Sequence, residues 1–267
     1  MICITSKTLI KASLDNRFMI SIFSKKNFLV DHLDGFIDIH NHILPGIDDG
    51  AKNIYASIEL IKEFGEFGVS DFICTPHIMD NYYPNDVSSI NESRSLLKNA
   101  LTMHNIDGVT LRPAAEHMID ANFENLLNSN QVMPLNHDHL LVEMSYLQPS
   151  INFDTAVKRI RDKQFFVVLA HPERYVYFHV DFKHYHSYKA MGILFQLNLL
   201  SIGGYYGKRI QKIALKLLDE DMFDFIGTDV HHIRHLNFLK KHVKLNDKTM
   251  DKILGLIIKT ITVFQKS

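Results

Sequence analysis

Two imidazoles stand two residues apart in the stretch Asp38-Ile-His40-Asn-His42-Ile-Leu-Pro-Gly-Ile-Asp48-Asp49-Gly50. The apolar step Gly35-Phe-Ile37 before them reads as the end of a short buried strand, and side chains at i and i+2 of a strand point to one side. A Pro-Gly turn then brings in two carboxylates. Imidazole and carboxylate on one face suit a divalent cation better than they suit a hydrophobic core.

The same residue types return at the ends of later apolar runs. His77 follows Thr75-Pro76, Glu116 follows Ala114-Ala115, Glu143 follows Leu140-Leu-Val142, and His171 follows Val167-Val-Leu-Ala170. Asp229 and His231 stand just beyond Phe225-Ile-Gly-Thr228. Taken singly, each has an ordinary alternative: Asp229 can cap a turn, His231 and His232 can face solvent, and Glu143 can pair with an arginine. Together they form a set of carboxylates dense enough to repel itself and raise its own pKa values unless cations are present. Histidine and carboxylate without thiolate favour manganese, iron or zinc over a cysteine-based structural zinc site. Cys74 lies inside its strand, three residues before His77, and reads as core.

These residues need a scaffold that brings strand ends together. Apolar residues at helical spacing predict helices over 53–67, 87–104, 122–127, 152–163, 208–218 and 248–264, and short apolar runs predict strands near 35–37, 71–75, 109–115, 139–142, 165–170, 193–197 and 222–226. Strand, polar tip and helix thus alternate seven times, which implies a parallel sheet. With chemistry at the C-terminal ends, a closed barrel is favoured over an open sheet. Gly203-Gly-Tyr-Tyr-Gly207 reads as a loop.

Composition sets wider bounds. The 267 residues contain 46% hydrophobic and 22% charged residues, with a formal net charge of −1, which excludes an electrostatic case for nucleic acid and requires any phosphate to be captured locally. Cys3 and Cys74 suggest no disulfide framework, so a reduced cytoplasm is expected. Residues 1–33 read as an N-terminal extension, with Met19 an alternative start, and 34–267 as a single domain. The apolar run 18–23 is short and lacks a following cleavage site, and no window is long enough to span a membrane.

The ordered motifs Asp38-Ile-His-Asn-His42, Asp48-Asp-Gly50, Thr75-Pro-His77, Ala115-Glu116, Val142-Glu143, Leu169-Ala-His-Pro-Glu-Arg174 and Gly227-Thr-Asp-Val-His231 resemble the polymerase-and-histidinol-phosphatase (PHP) superfamily. Within it they are most similar to the bacterial manganese-dependent protein-tyrosine phosphatases of capsule and exopolysaccharide loci, over about Phe36 to His235. The resemblance implies an α/β fold, a distorted (β/α)7 TIM-like barrel of the PHP type, holding three divalent ions, manganese first with iron or zinc as alternatives. It implies a first ion on His40, His42, Glu116 and Asp229, a second on Glu116, Glu143 and His171, and a third on Asp49, His77 and His231. Arg174 matches the family's phosphate-binding arginine, and Arg234 is the candidate for a second. The implied chemistry is hydrolysis of phosphotyrosine by a hydroxide shared between two ions. The implied partner is a phosphotyrosyl protein, such as the Tyr-rich tail of a membrane tyrosine kinase of polysaccharide export. The Cys-x5-Arg signature of thiol-based phosphatases is absent around Cys74. Tyr82, Tyr83, Tyr205 and Tyr206 are candidates to line the cleft.

Three other functions fit parts of this pattern. A histidinol-phosphate phosphatase would use the same ions. An amidohydrolase shares the opening His-x-His but usually bridges its metals with a carboxylated lysine, where this chain has Glu116 and Glu143. A non-catalytic PHP module usually loses ligands, and here each one is present.

Overall fold

The computed structural model describes residues 28–265, and the expectations about residues 1–27 lie outside them. Two residues form β1 (Ile37–Asp38), and helix α1 (Ile54–Gly65) follows the Pro-Gly turn. Asn53 starts α1 by accepting the Ala56 N–H at 3.1 Å, and the helix buries Ile58, Leu60, Ile61 and Phe64. Then come β2 (Asp71–Cys74), β3 (His77–Ile78), α2 (Val87–Met103), β4 (Thr110–Pro113) and β5 (Glu116–Met118). Next are α3 (Phe123–Asn128), β6 (His139–Glu143), α4 (Phe153–Asp162), β7 (Phe166–Ala170), α5 (Lys183–Ala190) and β8 (Leu194–Asn198). The chain closes with α6 (Leu199–Gly203), α7 (Lys208–Asp219), β9 (Phe225–Gly227), α8 (Ile233–His242) and α9 (Asp247–Phe264).

The architecture is mixed α/β with every sheet pairing parallel. One sheet has the order β1-β2-β4, and the other, curled as a half-barrel, runs β3-β5-β6-β7-β8-β9. Two of the seven expected strands, 71–75 and 109–115, are therefore followed after a break by a further short strand that was not expected. Pro76 has no N–H to continue the ladder after β2. Ala115 sends its N–H to the Met133 carbonyl (3.1 Å) instead of along the strand. After each break the chain passes from the small sheet into the large one, so β2–β3 and β4–β5 stitch the two together. Main-chain bonds from Asp229 N to His40 O (2.7 Å) and from His42 N to Val230 O (2.9 Å) bring the end of β1 against the chain leaving β9.

Apolar side chains fill two regions. The larger lies between strands and helices. The smaller holds Ile37, Ile39, Ile73 and Ala114 from the small-sheet side with Leu141, Val168, Ala170 and Phe225 from the large one. These alternate positions along the strands face a shared interior. Phe264, at the end of α9, closes that interior from below, edge-on to Phe225 with ring centroids 4.9 Å apart, and its carbonyl accepts Arg112 Nη1 at 2.6 Å. Within the expected extension, Leu29 and Leu33 are fully buried, and Leu29 N bonds Val243 O at 3.0 Å.

Three helices were not anticipated. Helices α5 and α8 carry many histidines and lysines, which mask the apolar period, and α6 has only five residues. Among the described residues, no helix is long and apolar enough to cross a membrane.

Phe264→Ala is expected to cost about 3–5 kcal/mol by emptying the floor of the interior. Ile258→Ala, on the exposed side of the same helix, should stay within about 0.5 kcal/mol. Urea midpoints of the two variants check this difference.

Candidate metal centre

The structure brings the candidate residues together, two of them, His77 and Glu116, from the starts of short strands and not from strand ends. His40 and His42 leave β1, His77 opens β3, Glu116 opens β5, Glu143 ends β6, His171 follows β7, and Asp229 and His231 follow β9. His40 Nε2 lies 3.2 Å from Glu116 Oε2 and 3.5 Å from Asp229 Oδ1. His42 Nε2 lies 3.3 Å from Asp229 Oδ1 and 3.4 Å from His40 Nε2. His171 Nε2 stands 3.0 Å from Glu116 Oε1. Asp49, half exposed, reaches His77 at 3.5 Å and His231 at 3.4 Å from outside.

All nine expected residues fall into four overlapping groups able to hold an ion. Two resemble expected sets: His42, Asp49, His77 and His231 in one, His40, His42 and Asp229 in another. The remaining partition differs, because His171 groups with His40 and Glu116, while Glu143 groups with His77 and Glu116.

The donor chemistry fits divalent ions. All four carboxylate oxygens of Glu116 and Glu143 are buried without a hydrogen-bond donor, although His77 Nδ1 comes within 2.7 Å of Glu143 Oε1. An orphaned buried carboxylate costs several kcal/mol, so such a pair is stable only with positive charge beside it. The protein's own groups supply part of that charge. Burial pushes the His77 imidazole down, but the Glu143 and Glu116 carboxylates outweigh it and raise it to about 9. Glu143 is itself shifted up by burial and by the charge of Glu116. His171 is held down to about 4 by burial and by Arg174, which keeps the ring neutral and its lone pair free.

A second layer fixes the rings. His40 Nδ1 meets Gln196 Oε1 and His42 Nδ1 meets Asp48 Oδ2, each at 2.8 Å, which turns both Nε2 atoms into the cluster. Asp38 accepts from Thr228 N (3.0 Å) and Thr228 Oγ1 (2.6 Å), tying β1 to the chain after β9. Asn41 donates to the Asp38 and Ile73 carbonyls, both at 3.1 Å. His171 (φ 35°) and Asp229 (φ 52°) adopt left-handed backbone, which is costly for a side-chain-bearing residue and concentrates at functional sites. Two glycines allow the close approach. A Cβ on Gly50 would lie 2.1 Å from the His42 carbonyl oxygen, and one on Gly227 2.6 Å from the His40 Cβ.

Arg174 lies between two tyrosine rings, 4.6 Å from the Tyr146 centroid and 4.1 Å from that of Tyr206, and Nη1 donates to Asp229 Oδ2 at 2.5 Å. Arg234 is exposed on the first turn of α8. Tyr83 stacks on His77 at 5.5 Å, whereas Tyr205 packs on His235 and Phe238. The sequence reading passed over Tyr146, whose hydroxyl lies 3.2 Å from His171 Nε2. It also gave no role to Gln196 or Asn198, although polar residues alternating within Leu194-Phe-Gln-Leu-Asn198 were a readable signal. Asn198 Nδ2 donates to Asp229 Oδ2 at 2.7 Å. His117 stays outside the cluster, with Nδ1 on the Leu141 carbonyl and Nε2 accepting the Met133 N–H. Cys74 is a buried free thiol whose pKa is pushed far up by burial.

Comparison with known proteins places the chain in a family. The chain is 28% identical over 215 residues to CapC of Staphylococcus aureus, covering 80% of this chain and 84% of that one. It is 28% identical over 203 residues to the tyrosine-protein phosphatase YwqE of Bacillus subtilis strain 168, covering 76% and 80%. Among solved structures, one from work on YwqE from Bacillus subtilis and CpsB from Streptococcus pneumoniae, described as unique metal-dependent tyrosine phosphatases, superposes with a TM-score of 0.70. That likeness, at 24% identity over 84% of this chain and 95% of the other, establishes a shared fold. The family model described as "Capsular polysaccharide synthesis, CpsB/CapC" matches residues 36–254, and the chain belongs to that family.

Proposed function

We propose that this protein is a metal-dependent protein-tyrosine phosphatase of capsule or exopolysaccharide synthesis. The observation that carries the reading is the pair of buried, donor-less glutamates, Glu116 and Glu143, ringed by His40, His77 and His171, with Arg174 bonded to the adjoining Asp229. The names of the relatives, tyrosine-protein phosphatases YwqE and CpsB, support it. We take the frame to be a distorted (β/α)7 barrel formed by 34–267, in keeping with the bonds that join the two sheets at His40, His42, Asp229 and Val230. The setting proposed is the cytoplasm, in keeping with unpaired Cys74.

The nine clustered residues, from His40 to His231, would hold up to three divalent ions, manganese first. When bound, such ions supply charge to neutralise phosphate oxygens and to make water a nucleophile near neutral pH. The protein's own side chains do the rest. Gln196 and Asp48 orient His40 and His42 through their Nδ1 atoms. Arg174, fixed by its two tyrosines and Asp229, presents its remaining guanidinium N–H groups to the phosphate, where they oppose the charge that grows on the equatorial oxygens. Arg234 is the second cation assigned to the phosphate, from the exposed rim of α8. The natural substrate would be a phosphotyrosyl segment, with the tail of a membrane tyrosine kinase the proposed source.

Chelator-stripped protein is expected to regain hydrolysis of a phosphotyrosyl peptide on addition of manganese, and to prefer it to histidinol phosphate. Preference for histidinol phosphate, or no turnover with ions bound, would overturn the reading. Arg174→Ala should lower kcat/KM about 10²–10³-fold with ion content unchanged, and Arg234→Ala about tenfold, mainly through KM. Gln196→Leu should weaken manganese binding about 10–100-fold in a titration followed by electron paramagnetic resonance, because the His40 ring loses its orienting partner.

A further inference from the structure

A groove of about 840 Å³ opens from the metal centre between the Met79–Tyr83 loop and the segment after β6. Asp49, His77 and Glu143 form its inner end, so it is continuous with the reacting site. Beyond them the walls are apolar: Met79, Tyr82, Met118, Ile119, Leu147 and Ile151. Three of these are strongly exposed, Tyr82 at 77%, Leu147 at 92% and Ile151 at 100%, whereas Met118 and Ile119 are buried and tie the wall to the core. Asp80 and Asp120 also line it, Asp120 accepting the Asp80, Asn122 and Phe123 N–H groups, and no lysine or arginine lines the groove among the described residues.

We infer that this groove binds the residues beside the phosphotyrosine, selecting peptides with a large aliphatic side chain next to it and disfavouring acidic neighbours. The inference rests on the phosphatase reading and adds its substrate class. Three features carry it. The space is large enough to bury a drug-sized ligand, so it holds more than one phenyl ring. Tyr83, stacked on His77, and Tyr146, stacked on His171 at 5.6 Å, place aromatic faces where the phosphorylated ring must enter. The side chains beyond offer apolar contact, and the charged groups lining the groove with them, Asp80 and Asp120, are carboxylates, which repel a neighbouring aspartate or glutamate.

The test uses three phosphotyrosyl peptides that differ only in carrying Leu, Ala or Asp on both sides of the tyrosine. Turnover is measured on the manganese-loaded full chain, and binding of the matching hydrolysis-resistant phosphonates by fluorescence anisotropy. Leu flanks are expected to be favoured over Ala about tenfold in both readouts, with Asp flanks below Ala. In the double variant Leu147→Ser, Ile151→Ser the Leu-to-Ala ratio should fall to within about twofold, and as a ratio on one protein it cancels any change in ion content or overall rate. Equal handling of Leu and Ala peptides, or a preference that survives the double variant, overturns the inference. Hydrolysis without preference would sink the groove and leave the phosphatase standing, whereas preferential phosphonate binding without hydrolysis would do the reverse.

Discussion

Negative charge without a proton donor governs this structure. Glu116 sits at the centre of the converging strand ends, fully buried, within 3.5 Å of His40, His42, His77 and His171. Burial alone would keep its carboxyl neutral, and the imidazoles of His40, His77 and His171 outweigh it and hold it well below the ordinary carboxylate range. Every ring around it must therefore be placed to face inward. The second layer of Gln196, Asp48, Asp38 and Asn198 follows from that need, as do the left-handed turns at His171 and Asp229.

The strands are short for the same reason. With only two residues in β1 and three in β9, the ladder gives little hold at the ends that carry the most ligands. Side chains replace it. Asp38 bonds Thr228 across the junction, and Asn41 bonds the main chain beside β1 and β2. These contacts are polar and buried, where each bond is worth more than in water and each loss is costly. Positioning and stability thus rest on the same residues.

The residues of the cluster were legible because all but Asp49, which sits in the Pro-Gly turn, stand at or just beyond the end of an apolar run, where period-2 patterning stops. Amphipathic helices such as α1 and α7 were legible for the complementary reason, a clean 3.6-residue period. Pro76 signals the break after Cys74, but that the chain resumes as β3 and β5 in a second sheet was not legible, since it depends on where Thr75 and Ala115 send their hydrogen bonds, which only tertiary contacts decide. Tyr146 was illegible because a single aromatic in a loop carries no periodic signal, and its role arises from Arg174, 28 residues away in the chain but 4.6 Å away in space. The grouping of these residues, which follows distances of a fraction of an ångström, lies below what spacing can express.

The buried thiol of Cys74 has a consequence for chemical vulnerability. Enzymes that attack phosphate with cysteine need a thiolate, and the thiolate is what peroxide converts to sulfenic acid and what alkylating agents trap. Here the one described cysteine is sealed inside β2, and its sulfur is kept protonated. Oxidants that silence thiol chemistry would find no thiolate among the described residues, which leaves exposed methionine sulfurs such as that of Met103 as the more accessible sulfur targets.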